Sequence, residues 1–245
     1  MEAAAKNDII QQLKAELLAL QTYKRPAGEQ RPGFGLGPIE QAFPEKIFPT
    51  AAVHEFISQA ATDAAATNGF VAGLLGKLMQ SNGMCIWVST KRNIFPAALK
   101  LFGIAPERII FIDLPRPREA LWAIEEALKC AAVATVVGEI SELSFKESRR
   151  LQLAVEQSKV TGLIHRYRPG SENITACVTR WKIKPIASVT EDGMPGLGLP
   201  RWNVQLQKVR NGKPGNWQLE WSNGSFQFIG KQEIAIPETQ KRKAG

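Results

Sequence analysis

From Ala52 to Tyr167 short apolar runs alternate with longer amphipathic ones, and no other feature narrows the fold of this chain so far. Strand-length runs at 53–57, 85–89, 109–112, 133–137 and 161–167 are separated by segments of helical spacing at 63–79, 96–101, 118–129 and 145–158. Such alternation produces a parallel sheet with crossover helices, because parallel neighbours cannot be joined by a hairpin. After Gly170 the helical segments stop. Strand patterns continue at 174–183, 202–209, 217–221 and 226–229, and Asn211-Gly212 and Asn223-Gly224 have the chemistry of tight hairpin turns. The predicted fold is α/β, a mainly parallel central sheet with flanking helices, extended by antiparallel strands in the C-terminal part.

Ahead of this core the chain changes character twice. Residues 1–22 read as an amphipathic helix with a single stripe of Ile10, Leu13, Leu17 and Leu20, capped by Asn7 or Asp8. A stripe of that kind suits self-association, and it equally suits folding back on its own core. Residues 23–46 are rich in Gly and Pro, which sustain neither helix nor central strand, and read as a linker. The core is then expected over 47–230, followed by a basic, disordered tail over 231–245. No apolar run approaches the roughly 20 residues of a membrane helix, and no signal segment opens the chain, so the expectation is a soluble cytoplasmic protein without membrane contact. Cys85, Cys130 and Cys177 lack metal or disulfide spacing and read as reduced core residues, and His54 and His165 read as core or strand histidines. No nucleophile motif, metal cluster or cofactor site emerges.

The formal net charge of +8 is concentrated late in the chain. Between Lys159 and Lys184 lie six basic residues and one acid, and between Arg201 and Lys213 four basic residues and no acid. Arg180, Lys182 and Lys184 alternate along one strand and so share a face, with Trp181 and Ile183 on the other. Arg166, Arg168, Arg201, Lys208, Arg210 and Lys213 join them as candidate contacts for a partner protein or nucleic acid, where cations meet phosphates and interleaved rings stack on bases. A solvated outer face with Trp181, Trp202, Trp217 and Trp221 in the core is the plainer reading of the same residues.

The order of elements beginning at Val53-His54-Glu55-Phe56 resembles the core of RecA-type recombinases. Cys85-Ile86-Trp87-Val88, Asn93-Ile94-Phe95-Pro96, Leu101-Phe102-Gly103-Ile104, Ala132 to Leu143 and Gln157 to Tyr167 continue the likeness. In that fold a phosphate-cradling loop follows the first strand, with Gly residues, a Lys and a hydroxyl residue that holds Mg²⁺. Counted from Glu55, Ser58 stands in place of the first glycine, Asp63 of the second, Ala64 of the Lys and Ala65 of the hydroxyl residue. The catalytic acid falls at Lys91 and the metal-binding Asp at Gly138, with Glu139 beside it. Three separate parts of the nucleotide machinery are replaced together, which points to a fold that no longer hydrolyses nucleotide. The segments equivalent to the recombinase DNA loops, Gly138 to Lys146 and Pro169 to Asn173, carry acids or are short, so strand exchange is not expected.

The stretch Leu197-Gly198-Leu199-Pro200-Arg201-Trp202-Asn203-Val204-Gln205-Leu206-Gln207-Lys208-Val209-Arg210-Asn211-Gly212-Lys213-Pro214-Gly215-Asn216-Trp217, with Cys177-Val178-Thr179-Arg180-Trp181, is similar to the ImuA family, whose members are RecA-like and related to SulA-type sequences. That resemblance implies a non-catalytic accessory protein of a DNA-damage-induced translesion-synthesis mutasome. The partners it implies are a catalytically inactive protein resembling a Y-family polymerase and an error-prone C-family DNA polymerase. RecA, single-stranded or primer-template DNA and a second copy of the chain are further candidates. A divergent ATPase that still binds nucleotide, and a SulA-like inhibitor of a filament-forming partner, are the alternative readings.

Overall fold

The computed structural model of this chain describes residues 34–80, 83–190 and 198–229. The helix expected over 1–22, with Ile10, Leu13, Leu17 and Leu20, and the tail expected over 231–245 lie outside the described residues. Among the described residues one sheet contains β1 (Val53–Ser58), β2 (Cys85–Ser89), β3 (Ile109–Asp113), β4 (Thr135–Ile140), β5 (Thr161–Tyr167), β6 (Thr179–Pro185), β7 (Arg201–Val209), β8 (Gly215–Ser222) and β9 (Ser225–Ile229). The lateral order is β3-β2-β4-β5-β1-β6-β7-β8-β9. Pairing is parallel from β3 through β6 and antiparallel from there to β9. Helices α1 (Ala61–Leu78), α2 (Pro117–Lys129) and α3 (Phe145–Ser158) flank it, so the expected α/β architecture is present.

All six residues of β1 are buried, because it lies mid-sheet with both faces covered. One face packs against α1 through Phe56, Trp87, Val137, Leu163 and Trp181, and the other against α2 and α3 through Val53, Val136, Ile164, Ile124 and Leu151. The start of α3 is set by a capping box, in which Ser144 accepts from the Glu147 amide and Glu147 accepts from the Ser144 amide.

Four expectations are corrected in detail. The 96–101 segment is a 3-10 helix, Pro96–Phe102, rather than an α-helix. β4 runs from Thr135 to Ile140, placing Gly138 and Glu139 inside a strand rather than at the head of a loop. β6 begins only at Thr179 and pairs parallel to β1, so the antiparallel part starts one strand later than expected. Cys130, read as a core residue, is exposed, whereas Cys85 and Cys177 are buried.

The linker expected over 23–46 is core in its described part. Leu36, Ile39, Ala42 and Phe43 are buried around a 3-10 helix at Gly37–Ala42, which opens with Pro38 in its first turn. Phe34 stacks on Phe48 at 4.7 Å, Phe43 packs beside Trp181 at 6.2 Å, and the Lys213 amide donates to the Ala42 carbonyl. The apolar spacing Leu36, Ile39, Phe43, Phe48 carried that signal beneath the Gly and Pro content.

Helix α1 reaches the antiparallel half by way of its glycines. A Cβ on Gly73 would lie 2.4 Å from the Phe226 ring and 3.0 Å from Trp221, and one on Gly76 2.8 Å from the Phe102 carbonyl. Helix propensity alone favours Ala over Gly by about 1 kcal/mol. Here the rigid rings reverse that sign, and Gly73→Ala is expected to destabilise the protein by ~1–3 kcal/mol in urea unfolding.

Candidate functional site

The nucleotide position of a recombinase-type core lies at the carboxyl ends of the parallel strands, where the first strand gives way to its helix. In this chain only Gln59 and Ala60 separate β1 from α1. No loop arches there to cradle a phosphate chain, and the Ala64 amide donates to the Ala60 carbonyl at 3.0 Å. Asp63 lies in the first turn of α1, Ala64 is half-buried and Ala65 is exposed, so none supplies a cation or a metal-holding hydroxyl. Lys91 is exposed beyond β2, and Gly138 faces the α2 side, where a Cβ would meet Ile124 at 2.5 Å.

The space under α1 is occupied by the chain's own polar side chains. Ser58 is 1% exposed, shares a 2.8 Å hydrogen bond with Thr67 and lies 3.0 Å from His165 Nε2. Both members of this serine–histidine pair are buried, His165 being 3% exposed. Glu139 is the in-register neighbour of both His165 and Ser89, and Ser89 donates to Asp113 at 2.8 Å. Burial, reinforced by the charge of Asp113, pushes the Glu139 carboxyl up to about 7. Burial also pushes His54 and His165 down to about 4. Both nitrogens of the His54 ring are paired, with Thr179 and the Pro49 carbonyl. Glu139, beside Gly138 in β4, faces α1, as the strand's alternation with Val137 requires.

On the opposite face lies Glu55, fully buried in β1. Its Oε1 accepts from Arg166 Nη1 at 2.7 Å, and its Oε2 accepts from Arg180 Nε at 2.7 Å and from the Thr175 hydroxyl at 2.9 Å. Both Glu55 and Arg166 have 0% exposed side chains. Arg166 also donates to the carbonyls of Ser141 and Ser171 and to Asn173 Oδ1. These groups anchor residues 168–178, which return the chain from the end of β5 to the start of β6 without a helix. A crossing segment outside any ladder needs partners for its carbonyls. Arg180 serves Asn173, Lys208 serves Thr175 at 2.7 Å, and Arg210 serves Ala176 at 3.0 Å.

The expected partner-binding cations therefore divide into two sets. Arg166 is buried and Arg180 is 13% exposed, so the contact role expected for both is corrected: they are internal anchors. Lys208 and Arg210 spend donors on the same crossing segment, and burial holds the Lys208 ammonium below its ordinary range. Arg201 pairs with Glu220 and Lys182 with Glu172, while Arg168 donates to the Gln59 carbonyl and lies over the Tyr167 ring. Lys184 and Lys213 are exposed. Lys182 and Lys184 lie on the outer face of β6, in rows with Gln205 and Asn203 of β7 and then Asn216 and Gln218 of β8. Trp181, Trp202 and Trp221 are buried on the inner face and Trp217 packs beside them, so the plainer reading of the rings holds and they offer no stacking platform.

An α/β protein with a nine-stranded, mainly parallel sheet, antiparallel at its C-terminal side and with a buried polar layer under α1, is the class these features define. No family model matches the chain. It is 31% identical over 227 residues to Protein ImuA of Caulobacter vibrioides strain NA1000 / CB15N, covering 86% of this chain and 93% of that protein. The same figures hold for Protein ImuA of strain ATCC 19089 / CIP 103742 / CB 15. The chain belongs to the ImuA family.

Removing one member of a buried, hydrogen-bonded ion pair leaves the other uncompensated. Glu55→Gln is expected to cost ~3–5 kcal/mol in urea unfolding, whereas Lys184→Gln on the outer face should change stability by less than about 0.5 kcal/mol.

Proposed function

We propose that this chain is a non-catalytic accessory protein of a DNA-damage-induced translesion-synthesis mutasome, acting as a scaffold for polymerase-related proteins in the cytoplasm. Membership of the ImuA family supports the setting. The observation that carries the non-catalytic part is the two-residue β1–α1 connection, closed over Ser58, Thr67 and His165. Such a connection has no room for a triphosphate and no lysine to balance one. The proposed partners are a catalytically inactive Y-family-like polymerase protein and an error-prone C-family DNA polymerase, with RecA as a third.

The surface proposed for these contacts is the outer face of β6 to β8 with Lys182 and Lys184, together with Arg168, Arg201 and the hairpin carrying Lys213. With the tryptophans turned inward, DNA contact on this face is through phosphates rather than stacked bases. Among the described residues no helix is long and apolar enough to cross a membrane.

The test is titration of the purified protein with labelled ATP and Mg²⁺, and with a labelled single-stranded oligonucleotide at two salt concentrations. No saturable ATP binding is expected, and saturable binding would favour a divergent ATPase. Oligonucleotide binding should weaken with salt, and Lys182→Glu/Lys184→Glu/Lys213→Glu should lower the slope of log K against log salt by roughly one per lost phosphate contact. An unchanged slope would remove these lysines from the DNA surface. Loss of the purified inactive-polymerase partner from the same variant, with unfolding unchanged, would assign the face to protein contact.

A further inference from the structure

Among the described residues, the buried side-chain nitrogens and oxygens without a hydrogen-bond partner are Trp87 Nε1, both carboxyl oxygens of Glu139 and His165 Nδ1. They do not lie scattered. Trp87 is in β2, Glu139 in β4 and His165 in β5, three adjacent strands, and in-register pairing puts Glu139 beside His165 on the face toward α1. Trp87 is two residues before Ser89, the other in-register neighbour of Glu139, and so lies on the same face. One indole donor, one carboxyl group and one imidazole nitrogen thus share the α1 face of three adjacent strands.

Buried polar groups left without a partner are costly, and folded proteins resolve clusters of them with internal water that makes about two to four hydrogen bonds. The rest of the cluster is already satisfied. His165 Nε2 is engaged by Ser58, Ser58 by Thr67, and Asp113 by Ser89 and Arg92. What remains is a set of buried donors and acceptors whose mixed character suits a small amphoteric molecule.

We propose that Trp87, Glu139 and His165 form an internal binding site for one ordered water, with Glu139 held there as a neutral carboxylic acid. The water accepts from Trp87 Nε1 and bridges the Glu139 carboxyl to His165 Nδ1. A neutral acid fits the surroundings. The charged groups facing Glu139 are Asp113 from β3, whose carboxylate opposes a second negative charge, and Arg92, which is already paired with Asp113. From β5 it meets His165, held neutral by burial, and from α1 the uncharged Asn68. Asn68 and Trp87 favour the charged form, yet neither completes a hydrogen bond to the carboxyl.

The sign of the pH dependence follows. The folded-state carboxyl titrates at about 7 rather than at its ordinary 4.5, so the folded protein holds more protons between those values. Its contribution to stability is complete below 4.5, is lost as pH rises through 7 and stays lost above. His54 and His165 act oppositely, because their folded values near 4 make stability rise from pH 4 to 6.5. The Glu139 contribution is therefore read as a difference between wild type and Glu139→Gln, which keeps the hydrogen-bonding shape but cannot ionise.

The midpoint of unfolding of Glu139→Gln relative to wild type should move upward from pH 4.5 to 7 and then level off. A difference that stays flat across this range would overturn the neutral acid. Titration of the wild-type glutamate carboxyl carbons by NMR tests the same point without a variant, and requires one glutamate to titrate close to 7. Titration of every glutamate below about 5 would overturn it. A crystal structure showing water density within hydrogen-bonding reach of all three groups is the expected result for the site itself. Direct pairing of Glu139 with His165 and no water between them would remove it.

Discussion

A carboxylate without exposed surface, Glu55, holds the C-terminal third of this protein in place. Taking Glu55 and Arg166 out of water costs several kcal/mol per ion, and such a pair persists only where its remaining donors and acceptors are satisfied. That condition is met by the crossing segment 168–178. Arg166 reaches Glu55, Ser141, Ser171 and Asn173 from one planar fork, a pattern that a lysine ammonium on a flexible stem does not reproduce. Arg180, from the neighbouring strand, closes the other carboxylate oxygen. Glu55 thus ties β1 to both its lateral neighbours, β5 through Arg166 and β6 through Arg180, beside the point where the sheet turns from parallel to antiparallel.

The two faces of β1 tell complementary stories. Toward α2 and α3, charge is buried and paired to fasten a segment that has no helix. Toward α1, the carboxyl ends of the strands carry Ser58, Glu139 and His165 in a closed polar layer where a recombinase-type core would open onto nucleotide. A phosphate site needs backbone amides and a cation facing an accessible gap. Here the helix is entered two residues after the strand, above a serine bonded to a threonine of that same helix, and the residues between Ser58 and Ala65 include no lysine.

Much of this was legible in the sequence for identifiable reasons. Apolar runs of strand length separated by helical spacing marked β1 to β5, and the Asn-Gly turns marked the hairpins β7–β8 and β8–β9. The extent of the core was obscured where composition spoke louder than spacing, as in the buried Leu36, Ile39 and Phe43 set among glycines and prolines. The roles of the cations were hidden for a different reason. Arg180, Lys208 and Arg210 are anchors because their acceptors are carbonyls of a segment between strands, and a backbone carbonyl has no letter of its own. Glu55 was the available clue, an acid in the middle of the otherwise buried run Val53-His54-Glu55-Phe56-Ile57.

The helix-free crossing also orders the assembly of the chain in time. β7, β8 and β9 are successive antiparallel neighbours that can close on themselves through short turns, whereas β1 meets β6 across 125 residues, as in the His54–Thr179 contact. Contacts so distant in sequence pay their loop-closure entropy late. During synthesis β1 emerges long before either of its lateral neighbours, keeping both edges bare until β5 (Thr161–Tyr167) is made and one edge until β6 (Thr179–Pro185) follows. A charged glutamate at its centre makes that waiting strand a poor template for aggregation, and only the arrival of two arginines turns it into a core.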